Sequence, residues 1–174
     1  MSKPVLKIIP LNEVTYEQFK KFLDSLDEER KTWSLDLQNN KNEKEFYKEY
    51  VLKLCGLVCL DDKKIISFCG IRDIQESPNI MEVSFVVKKE YQGNGIGTIL
   101  LLEIENICKR YKSKCKYITA KHYKDNIASH KAFLKAKYEE WTIEKKLINS
   151  HGQSGYRKKE TNDTGLDWKI KEIA

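Results

Sequence analysis

The stretch Tyr91-Gln92-Gly93-Asn94-Gly95-Ile96-Gly97-Thr98 sets three glycines at alternate positions between two apolar runs. Alternating glycines strip side chains from one short loop, so backbone N–H groups can turn toward a ligand and the chain can pass close to it. The loop follows a strand-like run and opens a helix-like one, and a helix N-terminus adds its own unpaired N–H groups and dipole. The chemistry such a loop serves is the binding of a phosphate. Two phosphate loops are excluded: GxxxxGK followed by Ser or Thr is absent, and the pattern GxGxxG begun by Gly93 and Gly95 meets Thr98 where its third glycine belongs.

Other residues with chemical potential flank the loop. Glu82 puts a carboxylate on the preceding strand-like run. Downstream, Asn126, Ser129, His130 and Phe133 recur at three- and four-residue spacing, which places them near one helical face. Asn126 is also a natural N-cap. The histidines His122, His130 and His151 lack HExxH spacing. The five cysteines, Cys55, Cys59, Cys69, Cys108 and Cys115, form an odd set without a CxxC pair. No metal, zinc knuckle or disulfide framework is expected, and the thiols read as small buried hydrophobes.

These residues must be positioned by a chain of 174 residues and 20.5 kDa, 40% hydrophobic, which fits a single domain over residues 1–174. The apolar spacing predicts a strand at 5–9, helices at 15–26 and 43–53, and strands at 54–60, 64–73 and 80–87. Asp61-Asp62-Lys63 and Ser77-Pro78-Asn79 read as the turns between those three strands. After the glycine loop come a helix at 98–112, a strand at 115–120, a helix at 126–137 and strands at 139–147 and 165–173. The order is β-α-α-β-β-β-α-β-α-β-β. The late α-β stage requires a crossover and hence a mixed sheet. An exposed edge near the C-terminal strand would favour pairing, so monomer and homodimer both stay open.

Charge narrows the partners. The net charge is +6, from 32 basic and 26 acidic residues interleaved along the chain, which describes a solvated surface. The densest basic stretch, residues 109–116, coincides with a predicted helix end, where cations complement the dipole. Nucleic-acid binding is not expected. No apolar run is long enough to span a bilayer, and the first residues lack a signal-peptide core, so a cytoplasmic protein without a membrane partner is expected.

The pattern Gln92-x-x-Gly95-x-Gly97, preceded by Glu82-Val83-Ser84-Phe85-Val86-Val87 and followed by Asn126-x-x-Ser129, resembles the GNAT superfamily of acetyl-CoA-dependent N-acetyltransferases. The resemblance is best over residues 81–138. It implies the GNAT fold, an α/β (α+β) architecture whose mixed, mostly antiparallel sheet of six to seven strands is flanked by about four helices. It implies acetyl-CoA as co-substrate, with the pyrophosphate on the N–H groups of Gln92, Gly93, Asn94, Gly95, Ile96, Gly97 and Thr98. The fourth and fifth strands would splay, and the pantetheine would pair with the backbone of Phe85, Val86 and Val87. A bulge there would leave an N–H near Val86 or Val87 free to bond the thioester oxygen. Glu82 would act as general base toward the acceptor amine. Asn126 and Ser129 would bond the pantetheine side, with Phe133 alongside.

The resemblance has two departures. Many relatives carry a tyrosine seven residues after that asparagine, whose hydroxyl protonates the departing thiolate; Phe133 stands there instead. Tyr138, Tyr123, His130, His122 or water would have to substitute. Lys137-Tyr138 also replaces the frequent Gly-Phe, which implies a changed helix exit. Acceptor specificity would come from residues 27–38 and 149–165. There Trp33 could form an apolar wall, and Glu29, with Asp27, Glu28 and Asp36, could attract a cationic amine of a small molecule, peptide or protein. The competing readings are a coenzyme-binding module without catalysis, motivated by Phe133, and a basic nucleic-acid adaptor.

Overall fold

The computed structural model describes residues 6–26, 43–53, 55–74, 77–111, 114–141 and 166–173. Strand β1 (Leu6–Pro10) turns through a short 3-10 segment into helix α1 (Tyr16–Asp24). The helix starts there because the Thr15 hydroxyl accepts from the Gln18 N–H while the Gln18 side chain accepts from the Thr15 N–H, a reciprocal cap. Its buried face, Phe19, Phe22 and Leu23, meets helix α2 (Glu43–Leu52), which buries Phe46 and Tyr50. The rings of Phe46, Tyr50 and Phe68 pack with centroids 4.7 to 5.9 Å apart, fixing both helices on one face of the sheet.

Strands β2 (Gly56–Asp61), β3 (Lys64–Ile74) and β4 (Ser77–Val87) form the expected antiparallel meander. Asp62, at φ 55°, makes the first turn. Ser77-Pro78-Asn79 is not a turn as expected but the start of β4, with Ser77 paired to Ile74. Proline is tolerated there because strand beginnings can lack a ladder N–H. Helix α3 (Ile96–Tyr111) begins two residues before the expected position 98. Its first bond runs from Ile99 N to the Gly95 carbonyl at 3.1 Å, so Gly97 lies inside the first turn. Strand β5 (Tyr117–Tyr123), helix α4 (Ile127–Lys135), and strands β6 (Glu139–Glu140) and β7 (Leu166–Glu172) complete the described elements. Most of the strand expected at 139–147 lies outside the described residues.

The sheet has seven strands in the order β1-β2-β3-β4-β5-β7-β6. Among the described strands only β4 and β5 pair in parallel. Strand β7 does not form an exposed edge: it pairs with β5 along seven positions and with β6 on its other side. All five cysteines are buried, and none of them forms a disulfide. Among the described residues no helix is long and apolar enough to cross a membrane.

Candidate active site

Strands β4 and β5 are paired at Ile80–Tyr117, Met81–Ile118 and Glu82–Thr119, and the pairing then stops. Both strands nevertheless continue, to Val87 and Tyr123. The opening between them has a visible wedge. Phe133 of α4 is only 2% exposed, and its ring packs on Phe85 of β4 at 5.4 Å and on His122 of β5 at 5.7 Å. One aromatic residue thus sits between side chains of the two diverging strands.

The backbone of β4 faces this opening in a defined way. Lys88 N bonds Ile66 O toward β3, whereas Lys116 N bonds Asn79 O on the β5 side. The β3–β4 register runs unbroken from Met81 to Val87. Strand alternation therefore turns the N–H and C=O groups of Val83, Phe85 and Val87 toward the opening and those of Val86 toward β3. The expected bulge at Val86 or Val87 is absent. The divergence of β5 alone uncovers these groups, and Val86 contributes by its side chain, not its ladder groups.

The glycine loop closes one end of the opening, and side-chain hydrogen bonds hold it. Gln92 donates from Nε2 to the Val87 carbonyl at 2.9 Å, tying loop to strand end. Asn94 donates from Nδ2 to the Tyr91 carbonyl at 3.2 Å, and Tyr91 donates its hydroxyl to Asp61 at 2.7 Å. Gly93 and Gly95 both have φ +80°, a conformation L side chains rarely adopt. Gly97 is needed for another reason. A Cβ there would lie 2.7 Å from the Phe85 ring.

A pocket of about 550 Å³ fills the opening. Of the residues anticipated from sequence, Glu82, Phe85, Val86, Val87, Gln92, Gly93, Gly95, Ile96, Gly97, Thr98, Asn126, Ser129 and Phe133 all line it. Asn94 does not; its side chain braces the loop. Trp33 and Glu29 lie outside the described residues. Asn126 caps α4 by accepting from Ser129 N at 3.0 Å, so its side-chain oxygen has a structural partner.

Glu82 is 6% exposed, and Arg72 Nη2 donates to its Oε1 at 3.1 Å, with Lys121 Nζ 3.9 Å from the same oxygen. Arg72 and Lys121 were missed in the sequence. Arg72 stands opposite Glu82 only through the β3–β4 register, and Lys121 arrives from a distant strand. Lys131 and Lys135 also line the pocket, one helical turn apart on α4. Their signal was the four-residue spacing after Asn126.

The candidate substitutes for the missing tyrosine separate. His122 and Tyr123 line the pocket, whereas His130 and Tyr138 do not. Tyr138 is a core residue whose buried hydroxyl has no hydrogen-bond partner, and burial raises its pKa well above the ordinary phenol value. Burial likewise pushes the His122 imidazole below its usual value, outweighing the hydrogen bond from Nδ1 to the Tyr123 carbonyl at 2.8 Å. A neutral His122 with Nδ1 protonated keeps a lone pair on Nε2, which is buried without a partner.

A parallel strand pair that opens over a glycine loop at a helix N-terminus forms an elongated pocket with backbone N–H groups at one end, the geometry that suits a phosphate-bearing ligand. The sequence matches the model of the acetyltransferase (GNAT) family over residues 17–138, and the chain belongs to that family. It is an acetyl-CoA-dependent N-acetyltransferase. Solved structures share the fold. A GNAT-family acetyltransferase from Streptococcus pneumoniae superposes with a TM-score of 0.68 at 16% identity, covering 99% of this chain and 100% of that one. A ribosomal-protein-alanine N-acetyltransferase from Brucella melitensis gives 0.66 at 17% identity, covering 96% and 99%. The Campylobacter jejuni N-acetyltransferase PseH in complex with acetyl coenzyme A gives 0.55 at 16%, covering 98% and 100%. No curated protein matches the chain.

Proposed function

We propose that this chain acetylates a primary amine by direct attack within the β4–β5 opening, with Glu82 as general base. The observation that carries the reading is the opening itself: an uncovered edge of β4 that leads from the buried carboxylate of Glu82 to the loop with Gly93 and Gly95 at φ +80°. The loop N–H groups and the start of α3 suit a pyrophosphate, and Lys131 and Lys135 add positive charge for phosphate groups. The outward N–H and C=O of Phe85 suit an amide of a pantetheine arm, which would lie against β4 as an added strand, while the Val87 carbonyl is held by Gln92 and its N–H stays available. Phe133 and Ser129 form the α4 wall.

In the reaction the amine first loses a proton to Glu82, because a lysine-like amine is almost wholly protonated at neutral pH. Its nitrogen then attacks the acetyl carbonyl carbon, a C–N bond forms, and the carbonyl oxygen gains charge. The Val87 N–H, aimed into the opening, is the donor we assign to that oxygen. As the carbonyl re-forms and the C–S bond breaks, the electron pair leaves on sulfur, and the nitrogen releases its second proton, which the thiolate takes up through solvent or a pocket group. A thiol of pKa about 8.5 leaves without a dedicated acid at a cost of only about 2 kcal/mol at pH 7.

The test is acetyl-CoA-dependent thiol release across a panel of primary amines, in the parent protein and in Glu82→Gln. The expected result is turnover by the parent and a fall in kcat of about 10²–10⁴-fold in the variant. Acetyl-CoA at about 100 times its Kd should still stabilise both proteins by about 2.7 kcal/mol. An undiminished rate in Glu82→Gln across the pH range would remove Glu82 from the mechanism. Binding without turnover of any amine would instead favour the non-catalytic reading that Phe133 motivates.

A further inference from the structure

The pocket has two sides that differ in charge. Phe133, Phe85 and His122 make an aromatic wall beside α4. Where the β4–β5 pairing ends, on the other face, Arg72 of β3, Glu82 of β4 and Lys121 of β5 converge. Both cations approach one oxygen, Glu82 Oε1, at 3.1 and 3.9 Å, and their side chains are 26% and 19% exposed. Lys121 is further held with Nζ 5.4 Å from the centroid of the Trp168 ring. Among the described residues lining the pocket, Glu82 is the one carboxylate.

This arrangement discriminates between kinds of amine. An acceptor bearing only positive charge would have to approach Arg72 and Lys121 in a half-buried site where like charges are poorly screened. An acceptor with its own acid group satisfies every partner. Its ammonium faces Glu82, and its acid group meets a guanidinium suited to planar, two-oxygen recognition beside a lysine ammonium. Because the cations and the base share one carboxylate oxygen, the amine and the acid group must lie only a few bonds apart.

We infer that the acceptor is a small amine carrying a carboxylate close to its nitrogen, of the α-amino-acid type, with Arg72 and Lys121 binding the carboxylate. The inference rests on the reading of the opening as the coenzyme site and of Glu82 as the group that faces the amine.

The experiment uses matched pairs of amino acid and decarboxylated amine, such as L-histidine and histamine, L-phenylalanine and phenethylamine, and L-lysine and cadaverine. Thiol release is read with the full chain and acetyl-CoA. At least one acid-bearing member should exceed its partner in kcat/KM by about tenfold or more, since a site built for a polar group rejects the analogue lacking it. Arg72→Met and Lys121→Met should each lower that ratio, mainly through KM, and Arg72→Lys should recover part of it. The acetyl-CoA-induced rise in Tm, measured on every variant, shows that it folds. Equal or better turnover of the decarboxylated partners, or a ratio unchanged in both Met variants, overturns the inference. So does a normal acetyl-CoA shift with no turnover of any acid-bearing member. Loss of the acetyl-CoA shift in the parent protein would instead overturn the coenzyme site on which both readings rest.

Discussion

Gly97 in the first turn of α3 lies so close to Phe85 of β4 that a Cβ added to it would stand 2.7 Å from ring atom Cε2. The contact lets the helix start directly against the strand edge. Phe85 in turn abuts Phe133, so the helix start, the strand and the wedge form one packed row.

Gly97 and Gly95 should therefore fail differently when replaced. Gly97→Ala overpacks the Phe85 contact and is expected to cost about 1–3 kcal/mol. Gly95→Ala meets nothing within 4 Å but imposes a side chain at φ +80°, with an expected cost of about 1–2 kcal/mol. Chemical denaturation of a double-mutant cycle separates the causes: Phe85→Leu should offset Gly97→Ala and leave the cost of Gly95→Ala unchanged.

The exit of α4 holds a correctable strain. Tyr138 N bonds Phe133 O and Lys137 N bonds Leu134 O, both at 2.9 Å, the paired bonds of a Schellman end. Lys137 occupies the left-handed position of that motif at φ 63°, where glycine is usual. Lys137→Gly should stabilise the protein by about 1 kcal/mol, a rise in Tm of about 2–4 °C. Calorimetry checks it, and a fall in Tm would mean that Lys137 is not strained.

Acid should weaken the fold in two stages. Burial holds His122 below its ordinary pKa of 6.5, with Lys169 and His130 acting in the same direction and Asp167 and the Tyr123 carbonyl against it. The unfolded imidazole therefore binds its proton at higher pH than the folded one. Its contribution is full above about pH 6.5 and is lost as pH falls toward the folded value. For Glu105, burial raises the carboxyl pKa, but hydrogen bonds from Lys171 and Lys109 outweigh it and hold the group below 4.5. Its contribution is present above that value and is lost as pH falls through the lower folded one. Urea midpoints from pH 8 down to about 3 should decline in both windows, and His122→Gln should flatten the upper one alone.

Phe133→Tyr tests whether the reaction lacks an acid. The ring is buried against Phe85, His122 and Tyr138 and lines the pocket. Protonating the thiolate is worth about 2 kcal/mol at pH 7, so kcat should rise by no more than about thirtyfold. That gain should fade above about pH 8.5, where the free thiolate is stable in water. A pH–rate profile of kcat decides, and a gain that persists at pH 9.5 would show that the tyrosine acts by packing.

What the sequence determined by itself is what short-range physics controls. The order of helices and strands was legible because apolar spacing reports which face each segment buries. The loop was legible because alternating glycines have few other uses, and Asn126 because capping acts over three residues. Boundaries moved where backbone hydrogen bonds outran the side-chain pattern: α3 began early on the Gly95 carbonyl, four residues before Ile99, and β4 absorbed Ser77 to Asn79 by pairing with the end of β3 and, at Asn79, with Lys116. Tertiary structure alone decided the insertion of β7 between β5 and β6, the outward turn of Phe85 and Val87 without a bulge, and Phe133 as a wedge. It alone brought Arg72, Glu82 and Lys121 around one oxygen. Those features depend on ladder register and on packing between segments far apart in the chain. A single residue of slip would send each side chain to the other face, and no local pattern records which register wins.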